Sequence, residues 1–205
     1  MQNYREGRKL AILGITNENV RQIATSLDLI KDNKKYVIVQ NVVPTSLKIS
    51  DIALKGKAEP ITFTNSEPPY TRTMQPLKNP ELVLSDVLEA IRVVFSECKH
   101  IVVKKLKSKA GDVEQITHID FVQKNHTTVH ALSHFHYSAI ISLEENTELL
   151  VSKLRIPVSV PLHSMLFFRG DMPHAGAGYP LGNSRLFLSA SSDTFPVTED
   201  VFLVK

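Results

Sequence analysis

The sequence has one cysteine, Cys98, so no disulfide can form within the chain and a reducing compartment fits. It has no apolar run approaching the ~18–20 residues needed to span a bilayer. Its polar start, Met1 to Arg8, resembles neither a signal peptide nor an anchor. A soluble, cytoplasmic protein without a membrane partner is the expectation. A large excess of one charge is also missing. The formal net charge of +3 is too modest to argue for nucleic acid by itself. There is no internal repeat and no low-complexity tract. What remains is ordinary: 205 residues, 42% hydrophobic and 22% charged, which suits one domain, 1–205, with a real core.

The order of patterns divides the chain. Lys9 to Ile15 is a short apolar run that reads as a strand. Thr16 to Asn19 is rich in helix-capping types, and Val20, Ile23, Ala24, Leu27 and Ile30 follow at helical spacing, which predicts a helix over 18–31. Tyr36 to Val43 is β-branched and strand-like. Residues 47–64 hold one or two weak strands ending in Ile61–Thr64. The proline-rich stretch 65–80 reads as a loop. A second apolar stripe from Leu82 to Phe95 predicts a helix over 80–98, with Pro80 near its first turn. From His100 onward the pattern is β. A strand leads to a turn at Ala110-Gly111-Asp112, and Val113–Phe121 is read as the return strand. Residues 122–136 form a His-rich loop. Short strands follow at 137–143, 147–154, 156–162, 164–168 and 184–191, with an edge strand near 201–204. Many short strands between regular turns point to a sandwich or barrel. Residues 1–98 thus read as helical and strand support, and 99–205 as the β core.

The chemistry gathers around Gln115–Phe121. His118 and Asp120 stand two apart, so on a strand they share one face. Alone, such a pair is usually a surface His beside an Asp, and two side chains are too few to hold a metal. His174, within Phe168–Tyr179, would complete a two-His, one-carboxylate set, the ligand type that binds non-haem Fe(II) with positions left open. Arg185 lies on an alternating apolar strand. A lone cation there needs an anionic partner, because an unpaired buried charge is costly. Arg185, Phe187 and Ser189 share one strand face, facing a cavity. Leu186, Leu188 and Ala190 share the other, under a helix. Arg185 on a solvated edge, or paired with Asp171, is the competing reading.

The runs Leu106–Phe121, Tyr137–Val151, Phe168–Gly176 and Ser184–Leu188 resemble the double-stranded β-helix of Fe(II)/2-oxoglutarate-dependent oxygenases over roughly residues 100–192. The resemblance implies a mainly β jelly-roll core with supporting N-terminal α-helices. It implies that His118, Asp120 and His174 are the catalytic iron ligands. It makes Arg185 the anchor for the far carboxylate of 2-oxoglutarate. The activity it implies is a dioxygenase or hydroxylase reaction that consumes O2 and 2-oxoglutarate, releases succinate and CO2, and oxidises an unidentified substrate. The chain departs from members with an Arg-x-Ser pair, since position 187 is Phe; Ser189 and Tyr137 offer nearby hydroxyls in its place.

Other readings compete. A jelly-roll binding or structural module without catalysis is one. A cupin-like metalloenzyme that does not use 2-oxoglutarate is another. His126, His130 and His134 are spaced for one helix face and zinc, yet no acidic or thiol partner stands among them, so a solvated loop with His136 near the cavity mouth is the plainer reading. Lys104, Lys105, Lys107 and Lys109 suggest a nucleic-acid or phosphate contact. Lysines on a strand beside a turn more often make a solvated edge that discourages aggregation. Cys98 reads as a small core residue, since no Cys-His-Asp nucleophile pattern is legible.

Overall fold

The computed structural model describes residues 2–31, 34–61, 72–120, 136–192 and 202–203. Helix α1 (Gln2–Leu13) replaces the expected strand at Lys9–Ile15. Four apolar residues, Leu10 to Leu13, are too few for periodicity to separate strand from helix, and the Gln, Arg, Glu and Lys before them favour helix. Ile12 is buried, and the Arg8 Nε lies 2.8 Å from Asp28 Oδ1 on the next helix. That helix, α2 (Glu18–Lys31), starts where its pattern predicts. The Asn17 side-chain oxygen accepts hydrogen bonds from the amides of Asn19 and Val20, at 3.0 and 3.3 Å, and so caps it. Helix α3 (Glu81–Val94) stops short of Cys98. Phe95 closes its last turn, and Cys98 already opens a strand. No helix among the described residues is long and apolar enough to cross a membrane.

The strands are β1 (Tyr36–Val39), β2 (Glu59–Pro60), β3 (Thr73–Pro76), β4 (Cys98–Ser108), β5 (His118–Ile119), β6 (His136–Ser142), β7 (Thr147–Val151), β8 (Ile156–Val160), β9 (Met165–Arg169), β10 (His174–Gly176), β11 (Asn183–Ser192) and β12 (Phe202–Leu203). They form two antiparallel sheets. One has the order β1-β9-β6-β11-β4-β3-β2, the other β12-β5-β10-β7-β8. From β4 to β11 the chain passes back and forth between the sheets, with β7 and β8 as the one consecutive pair in the same sheet. This is a double-stranded β-helix, a mainly β jelly roll with helices at its N-terminal side.

Two apolar layers hold it together. The outer face of the large sheet, including Leu186, Leu188, Ala190, Ala139 and Ile141, packs on Val20, Ile23 and Leu27 of α2 and on Val87, Leu88 and Ile91 of α3. Between the sheets, Leu106, Ile140, Leu166 and Phe168 meet Leu149, Val151 and Val160. Strand period therefore sends alternate residues of β11 to different layers. Several readings change here. Thr73–Pro76, read as loop, is a strand pairing with β4. The lysines of β4 accordingly do not form an edge, since β4 lies between β11 and β3. The return strand at Val113–Phe121 shortens to His118–Ile119, with Phe121 outside the described residues, as are residues 62–64, 201 and 204 of other expected strands. Between 47 and 61 only a 3-10 turn, Ile49–Asp51, an isolated bridge at Leu54 and β2 form.

Candidate metal centre

The short pairing of β5 with β10 sets His118 directly opposite His174. Cross-strand partners share a face, so both rings enter the space between the sheets, with centroids 4.4 Å apart. Asp120 lies just past β5. Its amide donates to the Gly170 carbonyl at 3.0 Å, which turns its carboxylate toward the two rings. Asp120 Oδ1 is 3.9 Å from His118 Nε2 and 3.5 Å from His174 Nε2. One ligating atom from each residue lies within 4.8 Å of the others, and no second such group occurs among the described residues.

The hydrogen bonds around these side chains fix which atoms face inward. His118 Nδ1 is 2.8 Å from the Ile116 carbonyl, and His174 Nδ1 is 2.9 Å from the Met172 carbonyl. A carbonyl only accepts, so each Nδ1 carries the proton and each Nε2 presents a lone pair. Ser138 on β6 donates to Asp120 Oδ2 at 2.5 Å, which leaves Oδ1 for the centre. Three electron-pair donors thus converge. A divalent metal satisfies all three at once, so the donor set fits one. Burial, with His174 adding to it, pushes the His118 pKa down to about 4, which keeps the imidazole neutral and able to ligate. Burial works against the Asp120 carboxylate, but His174, His118 and the Ser138 hydroxyl outweigh it and hold its pKa below the usual value. Phe168 packs edge-on to His174 at 4.8 Å and keeps that side dry.

Arg185 lies on the face of β11 that also carries Phe187 and Ser189. It is neither on an edge nor paired with Asp171. It is 3% exposed on a central strand, and Asp171 binds Arg169 instead. Its Nη1 donates to Ser108 Oγ and to Asn183 Oδ1, both at 3.3 Å. Its guanidinium carbon sits 4.8 Å from the centre of the Tyr179 ring. Among the described residues no carboxylate forms an ion pair with it, and its Nε and Nη2 carry no hydrogen bond. Burial lowers its pKa to about 10, opposed by Tyr179, so it remains a cation at neutral pH.

The two hydroxyls proposed beside Arg185 lie elsewhere. Tyr137 is on the opposite face of β6, stacked with Phe167 and tilted against Phe95 in the helix-facing layer. The one-residue step from Tyr137 to Ser138 reverses the face, and Ser138 is the residue that reaches the cavity. Ser189 does face the cavity, but its Oγ is 3.2 Å from His136 Nε2, near the metal end. His136 heads β6, and burial lowers its pKa. His126, His130 and His134 lie outside the described residues.

Sequence reasoning missed Arg72. It is 1% exposed, pairs with Asp112 at 2.7 Å, and donates to the carbonyls of Val113 and Ala177 at 2.7 and 2.5 Å. It also contacts the Tyr179 ring. Beside it, Gln115 and Gly176 exchange two hydrogen bonds of 2.9 Å, tying the approach to β5 onto β10. A Cβ on Gly176 would strike both Arg72 and Gln115. A lone Arg after a proline-rich stretch carries no local signal of this. Asn183 did carry one, since two residues before Arg185 on a strand is the same face.

No family profile and no curated protein matches the sequence. Solved structures do match the fold. A prolyl-4-hydroxylase from Pseudomonas putida aligns with TM-score 0.61 at 12% identity, over 83% of this chain and 99% of that one. A Trichoplax adhaerens prolyl hydroxylase, solved with a hypoxia inducible factor oxygen degradation domain peptide fragment, gives 0.60 at 11%, over 86% and 92%. A prolyl 4-hydroxylase of Phytophthora capsici gives 0.54 at 13%, over 86% of this chain and 65% of that one. These three structural neighbours are hydroxylases, at low identity.

Proposed function

We propose that this chain is an Fe(II)- and 2-oxoglutarate-dependent oxygenase acting on an unidentified substrate. What supports the reading is three converging electron-pair donors, together with a buried arginine that lacks a carboxylate partner among the described residues and stands on the β11 face that Ser189 shares. A metal site alone suits many enzymes. The added cation calls for a ligand with a remote anionic group, since burying an uncompensated charge is costly. The hydroxylase neighbours support the same class of chemistry.

His118, Asp120 and His174 would hold the iron, and Arg185 the far carboxylate of the co-substrate. When bound, Fe(II) and 2-oxoglutarate supply oxidative chemistry in which O2 and the keto acid yield succinate, CO2 and one oxygen atom inserted into a substrate C–H bond. The protein's residues position and shield. The carbonyls of Ile116 and Met172 hold the two imidazoles in the ligating tautomer. Ser138 holds the carboxylate to one inward oxygen. Leu106, Ile140 and Phe168 exclude water from the wall between the sheets. Tyr179, Asn183 and Ser108 aim the guanidinium. Succinate release from 2-oxoglutarate in the presence of Fe(II) tests the reading. The parent should turn over slowly without substrate, and His174→Ala should not. No succinate from iron-loaded parent, with or without candidate substrates, would favour a binding module or another metalloenzyme.

A further inference from the structure

The strand that delivers His118 is too short to hold itself. β5 has two residues; it meets β10 only where His118 faces His174, and it meets β12 at Leu203 and Phe202. So short a strand depends on what fastens the chain beside it. The turn between β7 and β8, residues 152–155, is tied to both histidine-bearing segments. The Ser152 amide donates to the carbonyl of Pro173, next to His174, at 2.7 Å. Arg155 reaches the approach to His118. Its Nη2 donates to the Gln115 carbonyl at 3.1 Å and pairs with Glu114, and its Nη1 donates to Thr117 Oγ1 at 3.4 Å. In the sheet β10 lies between β5 and β7, so this side chain spans β10. Arg155 does so at a φ of 55°, the left-handed region that favours glycine. A bend alone would suit glycine there, and a surface ion pair with Glu114 contributes little. What an arginine adds is the hold on residues 115 and 117.

We infer that Arg155 is a positioning residue of the metal centre, holding the approach to His118 in register with His174 from the outer face of the small sheet. Arg155 makes no hydrogen bond or ion pair with the three ligands. With Leu150 and Pro157 it lines a surface cavity, and those two alternate with Leu149, Val151 and Val158 of the inter-sheet layer. The clamp acts through the backbone between its two acceptors. Ile116 lies there, and its carbonyl is the one that accepts from His118 Nδ1. Loosening 115–117 frees the acceptor that orients the His118 ring and fixes its tautomer. The inference rests on the metal-binding part of the reading above and not on 2-oxoglutarate.

The test measures Co(II) binding to the full chain, by visible d–d absorption and by competition with a chelator, beside the melting temperature of the metal-free protein. Arg155→Gly removes the side chain and relieves the positive φ. Its melting temperature should stay close to the parent's. It should bind Co(II) about tenfold more weakly, the scale for residues that orient metal ligands, with altered band intensity. Arg155→Lys should recover part of the affinity, because an ammonium lacks the planar fork. Glu114→Gln keeps the bonds to Gln115 and Thr117 and should bind Co(II) as the parent does. Parent-like affinity and spectrum in Arg155→Gly overturn the inference. An equal loss in Glu114→Gln also overturns it, by assigning the effect to the surface ion pair. Should Arg155→Gly fail to fold, Arg155→Lys decides: weaker Co(II) binding at an unchanged melting temperature supports the role, and parent-like binding overturns it. If the parent binds no Co(II), or binds it equally after His174→Ala, the metal centre falls and this inference with it. If the Co(II) results are as expected but the parent does not bind 2-oxoglutarate, the oxygenase reading falls and the role of Arg155 stands.

Discussion

Arg185 is the residue on which the functional reading turns. Its charge is buried, and its Nη1 is fixed by two neutral partners. Arg185→Ala should keep the fold and metal binding but weaken 2-oxoglutarate by ~2–3 kcal/mol, on the order of a hundredfold. Arg185→Lys should fall between, because an ammonium cannot reproduce the planar fork. Equal affinity in parent and Arg185→Ala would rule out the anchor. Cys98 presents the opposite case, a reactive type made inert. Burial, with Glu97 adding to it, pushes its thiol pKa up to about 12. The folded state then binds a proton that the unfolded state loses near pH 9, so this group's stabilisation is complete below that pH and declines as pH rises toward 12. At pH 8 a thiol reagent should label Cys98 only after denaturant is added. Rapid labelling of native protein would mean that the thiol is accessible. Of the buried polar residues, His118, Asp120, His174 and Arg185 were legible because each is a polar type on an otherwise apolar strand pattern. Ser138, Ser108 and Arg72 were not, because a serine or a lone arginine has no distinctive context until the sheet registers are fixed.

At the scale of elements, α3 supports the cavity from outside. Leu88 and Ile91 are 2% and 0% exposed against the outer face of the large sheet. Leu88→Asp or Ile91→Asp should destabilise by roughly 3 kcal/mol or more, since a bare carboxylate would enter an apolar layer. An unchanged melting temperature would show that the stripe does not carry the packing. The β5–β10 contact should be equally sensitive for a different reason. Gly176→Ala drives a methyl group into Arg72 and Gln115, which also orient the two histidine-bearing strands. It should therefore lower metal affinity as well as melting temperature, and intact metal affinity would uncouple this cluster from the centre. Both helices that pack on the sheet were legible in the 3.6-residue period. Helix α1 and strand β3 were not. The first has only four apolar residues, and the second is held by pairing to β4, a long-range fact that local pattern does not contain.

For the whole molecule, the large sheet separates two layers, a helix-facing one that stabilises and an inter-sheet one that carries the polar centre. Alternation along β11 assigns its residues to the two layers and was readable from period two, whereas the nearly all-apolar β6 was not, and Tyr137 falls in the helix-facing layer. The pairing order was inferred by resemblance. A metal that binds the folded chain and not the unfolded one should raise the melting temperature, by the equivalent of about 2.7 kcal/mol at a concentration of 100 Kd. Asp120→Ala should abolish that shift. The most direct measurement is an anaerobic titration of the protein with Fe(II) and 2-oxoglutarate, followed in the visible region. A weak charge-transfer band should appear only when both are present, saturate at equimolar Fe(II), and be lost in His174→Ala. No band in the parent at millimolar 2-oxoglutarate would contradict the assignment of this cavity to an Fe(II)/2-oxoglutarate oxygenase.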